Sequence, residues 1–404
     1  MIKSLGIYII VLISQLLIVS CQRTQNMTKN QILTFDLSGV PKITNITLSD
    51  LGFADIEYIP LETNELNLIS GIDNIYFNDY NINKIIVGDG YYLIKNGERI
   101  FKFNDNGSFI TTIGTVGRGP DEINNIGDLV IDKERQEINI LSGWQKKIFV
   151  YSENGQFLRT LNIPYYIHEF SLVEGRIIGY CGRNSGKNVN SFVVMETNGQ
   201  IVAEFRNRYL FDQKSGFGFT HENLFYTFND ELHVKEIFSD TIYIFKEMKF
   251  KPHLILNAGD RLITPEARSN YDMFYITENY LQPINLLEFG DYLYYGSIYK
   301  LVFPDALIYG FIGSKKKDFQ VFFDLNQGIV NDLDGGPNIV PITTKNDHTI
   351  ITLLDAFKLK SHVSSDVFRN SVPKHPEKKK ALERLAVSLK EIDNPVLVLV
   401  RLKQ

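Results

Sequence analysis

Three glutamates recur through the middle of the chain, Glu122, Glu169 and Glu222, spaced 47 and 53 residues apart. Two follow directly on a histidine, as His168-Glu169 and His221-Glu222, and the first closes the run Arg118-Gly119-Pro120-Asp121-Glu122. Imidazole and carboxylate are ordinary ligands of divalent cations. A histidine with a near-neutral pKa can also act as a general base. Gathered in one place, these groups make a cation site or an acid–base pair. Kept apart, they are solvated, or pair with Arg118 and lysines to hold neighbouring elements together. The sequence leaves both readings open. Trp144, the one tryptophan, stands in Ser142-Gly143-Trp144-Gln145-Lys146. It offers either a stacking surface for a sugar ring or packing between loops.

Other chemistries lack their residues. Gly114 to Gly119 is rich in glycine, but no Lys-Ser/Thr follows it; Gly182-Arg183-Asn184-Ser185-Gly186-Lys187-Asn188 has the wrong spacing and ends in Asn. Neither can cradle a phosphate in the P-loop manner. His221-Glu222 does not extend to His-Glu-x-x-His, since position 225 is Phe, and no Gly-x-Ser-x-Gly elbow occurs. Two cysteines, Cys21 and Cys181, supply neither a disulfide framework nor a cysteine zinc site. Cys181 reads as a buried small hydrophobe. A net charge of −5 argues against nucleic acid as partner, because such binders are normally basic.

The elements that must carry these residues are strands. Of 404 residues 44% are apolar and 12% aromatic, with 28 Phe, 21 Tyr and 29 Gly, enough for a large core rich in strands and turns. Three Asn-Gly pairs, at 106–107, 154–155 and 198–199, are flanked on both sides by alternating apolar residues such as Phe101, Phe103 and Phe109, or Phe149, Tyr151 and Phe157. Each reads as a hairpin, and Asn-Gly suits a type I′ turn. Weaker copies follow near Tyr243 and Phe245 and near Tyr309 and Phe311. About four short strands per unit of about 45 residues is the repeat of a β-propeller blade. The expected fold is all-β, a six-bladed propeller of four-stranded antiparallel blades, over 70–114, 126–161, 170–205, 223–256, 286–326 and 339–402.

The last unit is irregular. Ile339-Val340, Thr349–Leu354 and Val396–Leu402 read as strands, and Lys378–Glu391 as a single helix with Leu382, Leu385, Ala386 and Leu389 on its apolar face. The missing fourth strand comes from the N-terminal side, Ile56–Leu61, and closes the ring. In such a ring the links between blades, and the loops between second and third strands, gather at one face. That places Arg118, Asp121, Glu122, Trp144, His168, Glu169, His221 and Glu222 around one channel mouth. The Tyr-rich run from Tyr271 to Tyr280 is placed beside them as a cap.

Residues 1–20 read as a signal peptide: Lys3, then an apolar run from Leu5 to Val19. Ile18-Val19-Ser20-Cys21 resembles a bacterial lipobox, which implies lipidation of Cys21 and anchoring through several acyl chains. Residues 21–31 form a polar tether and 32–404 one propeller domain. Gln22, rather than Asp, after the cysteine favours the outer membrane over the inner.

Three further runs carry a family resemblance: Tyr58-Ile59-Pro60-Leu61-Glu62-Thr63, Ile113-Gly114-Thr115-Val116-Gly117-Arg118-Gly119-Pro120-Asp121-Glu122, and Asp393-Asn394-Pro395-Val396-Leu397. Together they resemble the Bacteroidetes family of six-bladed β-propeller lipoproteins, related to NHL-type propellers, over nearly the whole mature chain. The chain departs from that pattern at Asp121, where the family has Gly, and in its fourth and fifth hairpins. The resemblance implies an exported propeller and transfers no catalytic residues. The expectation is a membrane-anchored, monomeric, non-enzymatic lipoprotein that binds a glycan, a peptide or an envelope protein at the channel face. It needs no cofactor, though the same face could accept a divalent cation such as calcium or zinc. The alternatives are a metal-assisted hydrolase or lyase using His168, His221 and a carboxylate, or a structural lipoprotein that meets its partners through its outer rim.

Overall fold

The computed structural model describes residues 32–70, 84–117, 119, 122–182, 186–213, 218–219, 221–301 and 306–403. The signal and tether segments, Cys21, Arg118 and Asp121 lie outside the described residues. Thr34–Gln404 form one compact unit; the chain up to Leu33 is a separate one.

Two strands, β1 (Leu33–Asp36) and β2 (Phe53–Pro60), precede the repeats. Blade 1 then holds β3 (Lys84–Val87), β4 (Tyr91–Asn96), β5 (Arg99–Asn104) and β6 (Phe109–Thr112). Blade 2 holds β7 (Asp128–Asp132), β8 (Glu137–Ser142), β9 (Lys147–Ser152) and β10 (Phe157–Asn162). Blade 3 holds β11 (Glu169–Val173), β12 (Arg176–Tyr180), β13 (Asn190–Met195) and β14 (Ile201–Arg206). Blade 4 holds β15 (Asn223–Phe228), β16 (Glu231–Glu236), β17 (Thr241–Lys246) and β18 (Lys249–Asn257). Blade 5 holds β19 (Gln282–Phe289), β20 (Tyr292–Tyr299), β21 (Leu307–Ser314) and β22 (Gln320–Asp324). Blade 6 holds β23 (Thr343–Asn346), β24 (Thr349–Leu354), β25 (Val396–Leu402) and, as its outer strand, β2. The first strands of successive blades lie beside one another, so they form the inner ring.

Alternation along each strand makes this stack. In β9, Phe149 and Tyr151 pack with Tyr91, Leu93 and Ile100 of blade 1. Their neighbours Ile148 and Val150 pack with Phe170, Ile177 and Val193 of blade 3. Successive side chains point to opposite faces of a strand, and both faces of a blade are buried by its neighbours. Blades 2 to 5 fall within a few residues of the expected units, and the closure is the expected one. β2 pairs antiparallel with β25, from Phe53 opposite Leu402 to Pro60 opposite Val396.

Four details differ from expectation. In the Asn-Gly hairpins only the glycine takes a positive φ: 90° at Gly107, 81° at Gly155 and 87° at Gly199. Gly107 N–H donates to Asn104 O (3.0 Å) and Asn104 N–H to Ser108 O (2.9 Å), the longer loop of a type I turn closed by a left-handed glycine. Both central residues are left-handed instead at Asn229-Asp230 (51° and 57°) and Glu247-Met248 (52° and 57°) in blade 4, where no glycine relieves the strain. Blade 6 begins at Thr343, because Ile339 bridges to Ile329. Its one expected helix, found at Pro376–Ser388 (α5), is preceded by α3 (Ala356–Val363) and α4 (Asp366–Asn370). Two more short helices, α1 (Pro265–Asn270) and α2 (Met273–Asn279), fill the Tyr-rich link between blades 4 and 5. Finally, β1 adds a fifth strand to the outer edge of blade 4.

Candidate functional site

The links between blades and the loops between second and third strands share one face. The described candidate residues lie in these segments, but they engage differently. Glu122 folds back to accept from Gly119 N–H at 2.6 Å, capping its own turn. Glu169 opens β11 and accepts from Asn223 Nδ2 at 3.3 Å, joining the inner strands of blades 3 and 4. Glu222 is buried in an ion pair with Arg268 of α1, 2.9 Å from Nη1. The Arg268 guanidinium lies 4.7 and 5.1 Å from the rings of Phe211 and Phe219. A buried pair of this kind holds a link in place and loses its balance if one partner is removed. His221, one residue earlier, is half-buried.

Trp144 and His168 are joined through Tyr166. The Trp144 ring lies 5.3 Å from Tyr166, and Tyr166 meets His168 edge-on at 4.5 Å. Trp144 is 76% exposed. Its loop is held from both sides. Gln145 Nε2 donates to Glu122 O (3.2 Å) and its Oε1 accepts from Asn124 N–H (2.9 Å), tying the loop to the blade 1–2 link. Gly143 lies so close to the carbonyl of Ile167, in the blade 2–3 link, that a Cβ there would clash. The result is a fixed aromatic platform at the tip of a braced loop.

A second cluster, absent from the sequence reading, lies between blades 4 and 5 toward the opposite face, where first strands end and third strands turn into fourth. Glu288, next to last in β19, is buried at its centre. Its Oε1 accepts from Tyr226 OH (2.8 Å) and lies 2.9 Å from His253 Nε2 and 3.7 Å from His233 Nε2. Its Oε2 accepts from Lys315 Nζ (2.5 Å), whose ammonium also sits 3.7 Å over the Phe228 ring. His233 stacks on Tyr226 at 4.7 Å, and its Nδ1 lies 3.0 Å from Glu231 O. Burial opposes ionisation of Glu288, but the His253 hydrogen bond and the Lys315 charge outweigh it and hold the carboxyl down at about 2. Burial pushes His233 down to about 4 and, with Glu288 beside it, lifts Tyr226 well above its ordinary value. Among the described residues these three, His233, His253 and Glu288, form the one His/Cys/Asp/Glu group whose ligand atoms all lie close together, within 4.8 Å. Cys181, by contrast, is buried with its thiol pushed up to about 12, as an unreactive core residue should be.

The family model described as "Domain of unknown function (DUF4934)" matches residues 32–401. The chain belongs to the DUF4934 family. Its fold is shared with a crystal structure of a candidate exported protein from Bacteroides fragilis, at TM-score 0.66 and 17% identity, over 93% of this chain and 100% of that one. A DUF4221 member from Bacteroides vulgatus aligns over 87% of this chain and 97% of its own, at TM-score 0.48 and 11% identity. Among curated proteins none matches.

In this DUF4934 chain, two of the runs that carried the resemblance meet at the seam of the ring. Asn394 is buried and donates through Nδ2 to Glu62 O (2.8 Å) and Asn67 O (3.0 Å), while its Oδ1 accepts from Ile69 N–H (2.8 Å). Glu62 in turn reaches blade 1, where its N–H donates to Gly107 O at 2.8 Å and its Oε2 accepts from Phe109 N–H at 2.9 Å. A Cβ at Gly107 would overlap Pro60 O, so the glycine serves both the hairpin and the seam. These runs are closure hardware. Among the described residues, no helix is long and apolar enough to cross a membrane.

Proposed function

We propose that this DUF4934 protein is an exported, lipid-anchored binding propeller of the bacterial envelope, whose ligand face carries Trp144. The single observation behind this reading is the braced loop that holds Trp144 76% exposed above Tyr166 and His168. An isolated protein leaves an aromatic ring of that size in water only at a cost in apolar exposure. A flat ring backed by a second ring, with the His168 imidazole next in line, suits stacking of a sugar ring with a polar group to orient its hydroxyls. Glycans are therefore the favoured ligand class, with peptides and envelope proteins as the competing outcomes. The lipobox-like Ile18-Val19-Ser20-Cys21 supports the anchor, and the name of the B. fragilis neighbour is consistent with export. Both fit a Bacteroidetes-type, NHL-related lipoprotein on the outer membrane. Metal-assisted catalysis at this face has less support, because Glu222 and Glu122 are already committed to Arg268 and to Gly119.

Trp144 is the sole tryptophan, so its fluorescence reports on this loop alone. Titration with chito-, manno- and peptidoglycan-derived oligosaccharides is expected to give a saturable blue shift or quench with at least one of them. The W144A variant is expected to lose that binding by calorimetry while keeping its fold. If every glycan leaves the emission unchanged, the glycan reading fails. For the anchor, C21S is expected to move the protein from the membrane to the soluble fraction.

A further inference from the structure

The cluster between blades 4 and 5 contains an arrangement that hydrogen bonding alone leaves incomplete. His233 is 1% exposed and its Nδ1 lies 3.0 Å from the backbone carbonyl of Glu231. A carbonyl can only accept, so Nδ1 carries a proton, which leaves Nε2 as the ring atom turned toward Glu288. That Nε2 is buried and has no hydrogen-bond partner. It is aimed at Glu288 Oε1, 3.7 Å away, which is itself electron-rich. A positive centre between this nitrogen and the carboxylate oxygen would join the two.

We propose that His233, His253 and Glu288 bind a first-row divalent transition-metal ion of the zinc class, which clips blade 4 to blade 5. Two imidazole nitrogens and one carboxylate oxygen are a familiar donor set for zinc, with a fourth position left for water or another oxygen. Two of the three donor spacings, 2.9 Å from His253 Nε2 to Glu288 Oε1 and 3.7 Å from His233 Nε2 to the same atom, lie around the roughly 3.3 Å of a tetrahedral zinc shell, and all three ligand atoms lie within 4.8 Å of one another. The supporting contacts are also of the kind that orient ligands. The Glu231 carbonyl fixes the His233 tautomer, and the Tyr226 ring stacked on His233 fixes its plane. The ligands come from β16, β18 and β19, so an ion there bridges two blades. His253, with its side chain 23% exposed, gives the approach from solvent. Lys315 opposes the ion by its charge, which gives the proposal a sign that a metal-free ion network lacks.

The test uses the full chain, stripped with chelator and titrated with zinc chloride by calorimetry, then with cobalt(II) followed by visible absorption. The expected result is one ion per chain, with a cobalt spectrum of a nitrogen–oxygen site. H253Q, at a partly exposed position, is expected to weaken zinc binding on the order of a hundredfold, while H348Q, on an exposed turn outside the cluster, leaves it unchanged. K315M is expected to tighten binding by about tenfold through the lost charge repulsion. No zinc uptake by the wild-type chain overturns the proposal. So does equal uptake by wild type and H253Q, or weaker binding by K315M. Because zinc uptake is read directly, failure here leaves the Trp144 reading untouched.

Discussion

The Trp144 platform and the Glu288 cluster lie in different blades, toward opposite faces of the ring, and are built in opposite ways. Trp144 is exposed and touches its neighbours ring to ring, on a loop whose backbone is braced by Gln145 and Gly143. Glu288 is buried, and its two oxygens engage Tyr226, His253 and Lys315 from three other elements. The first holds a side chain ready for a molecule that arrives from outside. The second joins two blades and depends on balanced charge. Charge balance therefore governs the one site and ligand readiness the other, and substitutions should separate the two.

The largest effect is expected at the buried end. E288Q leaves Lys315 without its counter-charge in a site that solvent barely reaches, and breaking such a pair costs about 3–5 kcal/mol. Denaturant unfolding of the chelator-treated protein measures it, and a loss below about 1 kcal/mol would mean that the cluster does not hold the blades. R268M should cost a similar 3–5 kcal/mol, because Glu222 would be left charged and buried. A drop confined to this range in both variants would place the main polar locks at blade 4 and its links.

The ring seam ranks next. N394A removes the Nδ2 hydrogen bonds to Glu62 and Asn67 and the one that Oδ1 accepts, at a buried position, and should cost about 2 kcal/mol. Limited proteolysis between β2 and β3 gives a second readout, since the seam ties Glu62 and Asn67 to blade 6. If N394A unfolds no more easily than wild type, the closure rests on the β2–β25 pairing alone.

These differences track what the sequence makes legible. Blade boundaries follow from alternation and from the recurrence of Asn-Gly, because both are local patterns that burial on two faces enforces. The closing strand was legible because three strands at the C-terminus left one edge open. The Trp144 loop lies beside the blade 2–3 link, as strand order alone implies. His233 was hidden because it sits in Leu232-His233-Val234, where it reads as one more inward position of a strand, and its partners lie 20 and 55 residues further on. Only the sheet order β18-β17-β16 and the approach of β19 from the next blade bring them together. The turn types differ from the expected type I′ for a related reason. Asn-Gly is compatible with several loops, and the bulged pairing of Lys102 and Phe103 with β6 selects the longer one. The two helices before α5 and the edge strand β1 depend on tertiary cover that no local period records.

A pH series sharpens the contrast between desolvated carboxylates with and without a bonded cation. Glu236, three residues from His233 on the same strand, accepts from the Ser191 hydroxyl at 2.8 Å. Burial pushes its carboxyl up to about 7, and Ser191, Arg208 and Lys235 only partly offset this. A raised carboxyl pKa favours the neutral form in the fold, so stability is greatest below the unfolded value near 4.5 and falls as pH rises toward 7. E236Q should match wild type within about 0.5 kcal/mol at pH 5 and exceed it by about 2 kcal/mol at pH 8. Equal stability at both pH values would mean that solvent reaches Glu236 and that its burial carries no charge penalty.

The smallest effect on stability is expected at Trp144, and there it is most informative. W144A removes a side chain that is mostly in water and touches chiefly Tyr166, so unfolding should shift by no more than about 0.5 kcal/mol. The hydrogen bonds of Gln145 to Glu122 and Asn124 remain, and they keep the loop in place. Binding of a stacked glycan, in contrast, should fall by about 1–2 kcal/mol or more, about tenfold or greater in affinity, since the ring supplies the apolar contact. A W144A protein that loses several kcal/mol of stability would instead make the tryptophan a packing residue between loops. In that case the exposed end would resemble the buried one, and the ligand face would have to be sought elsewhere on the ring.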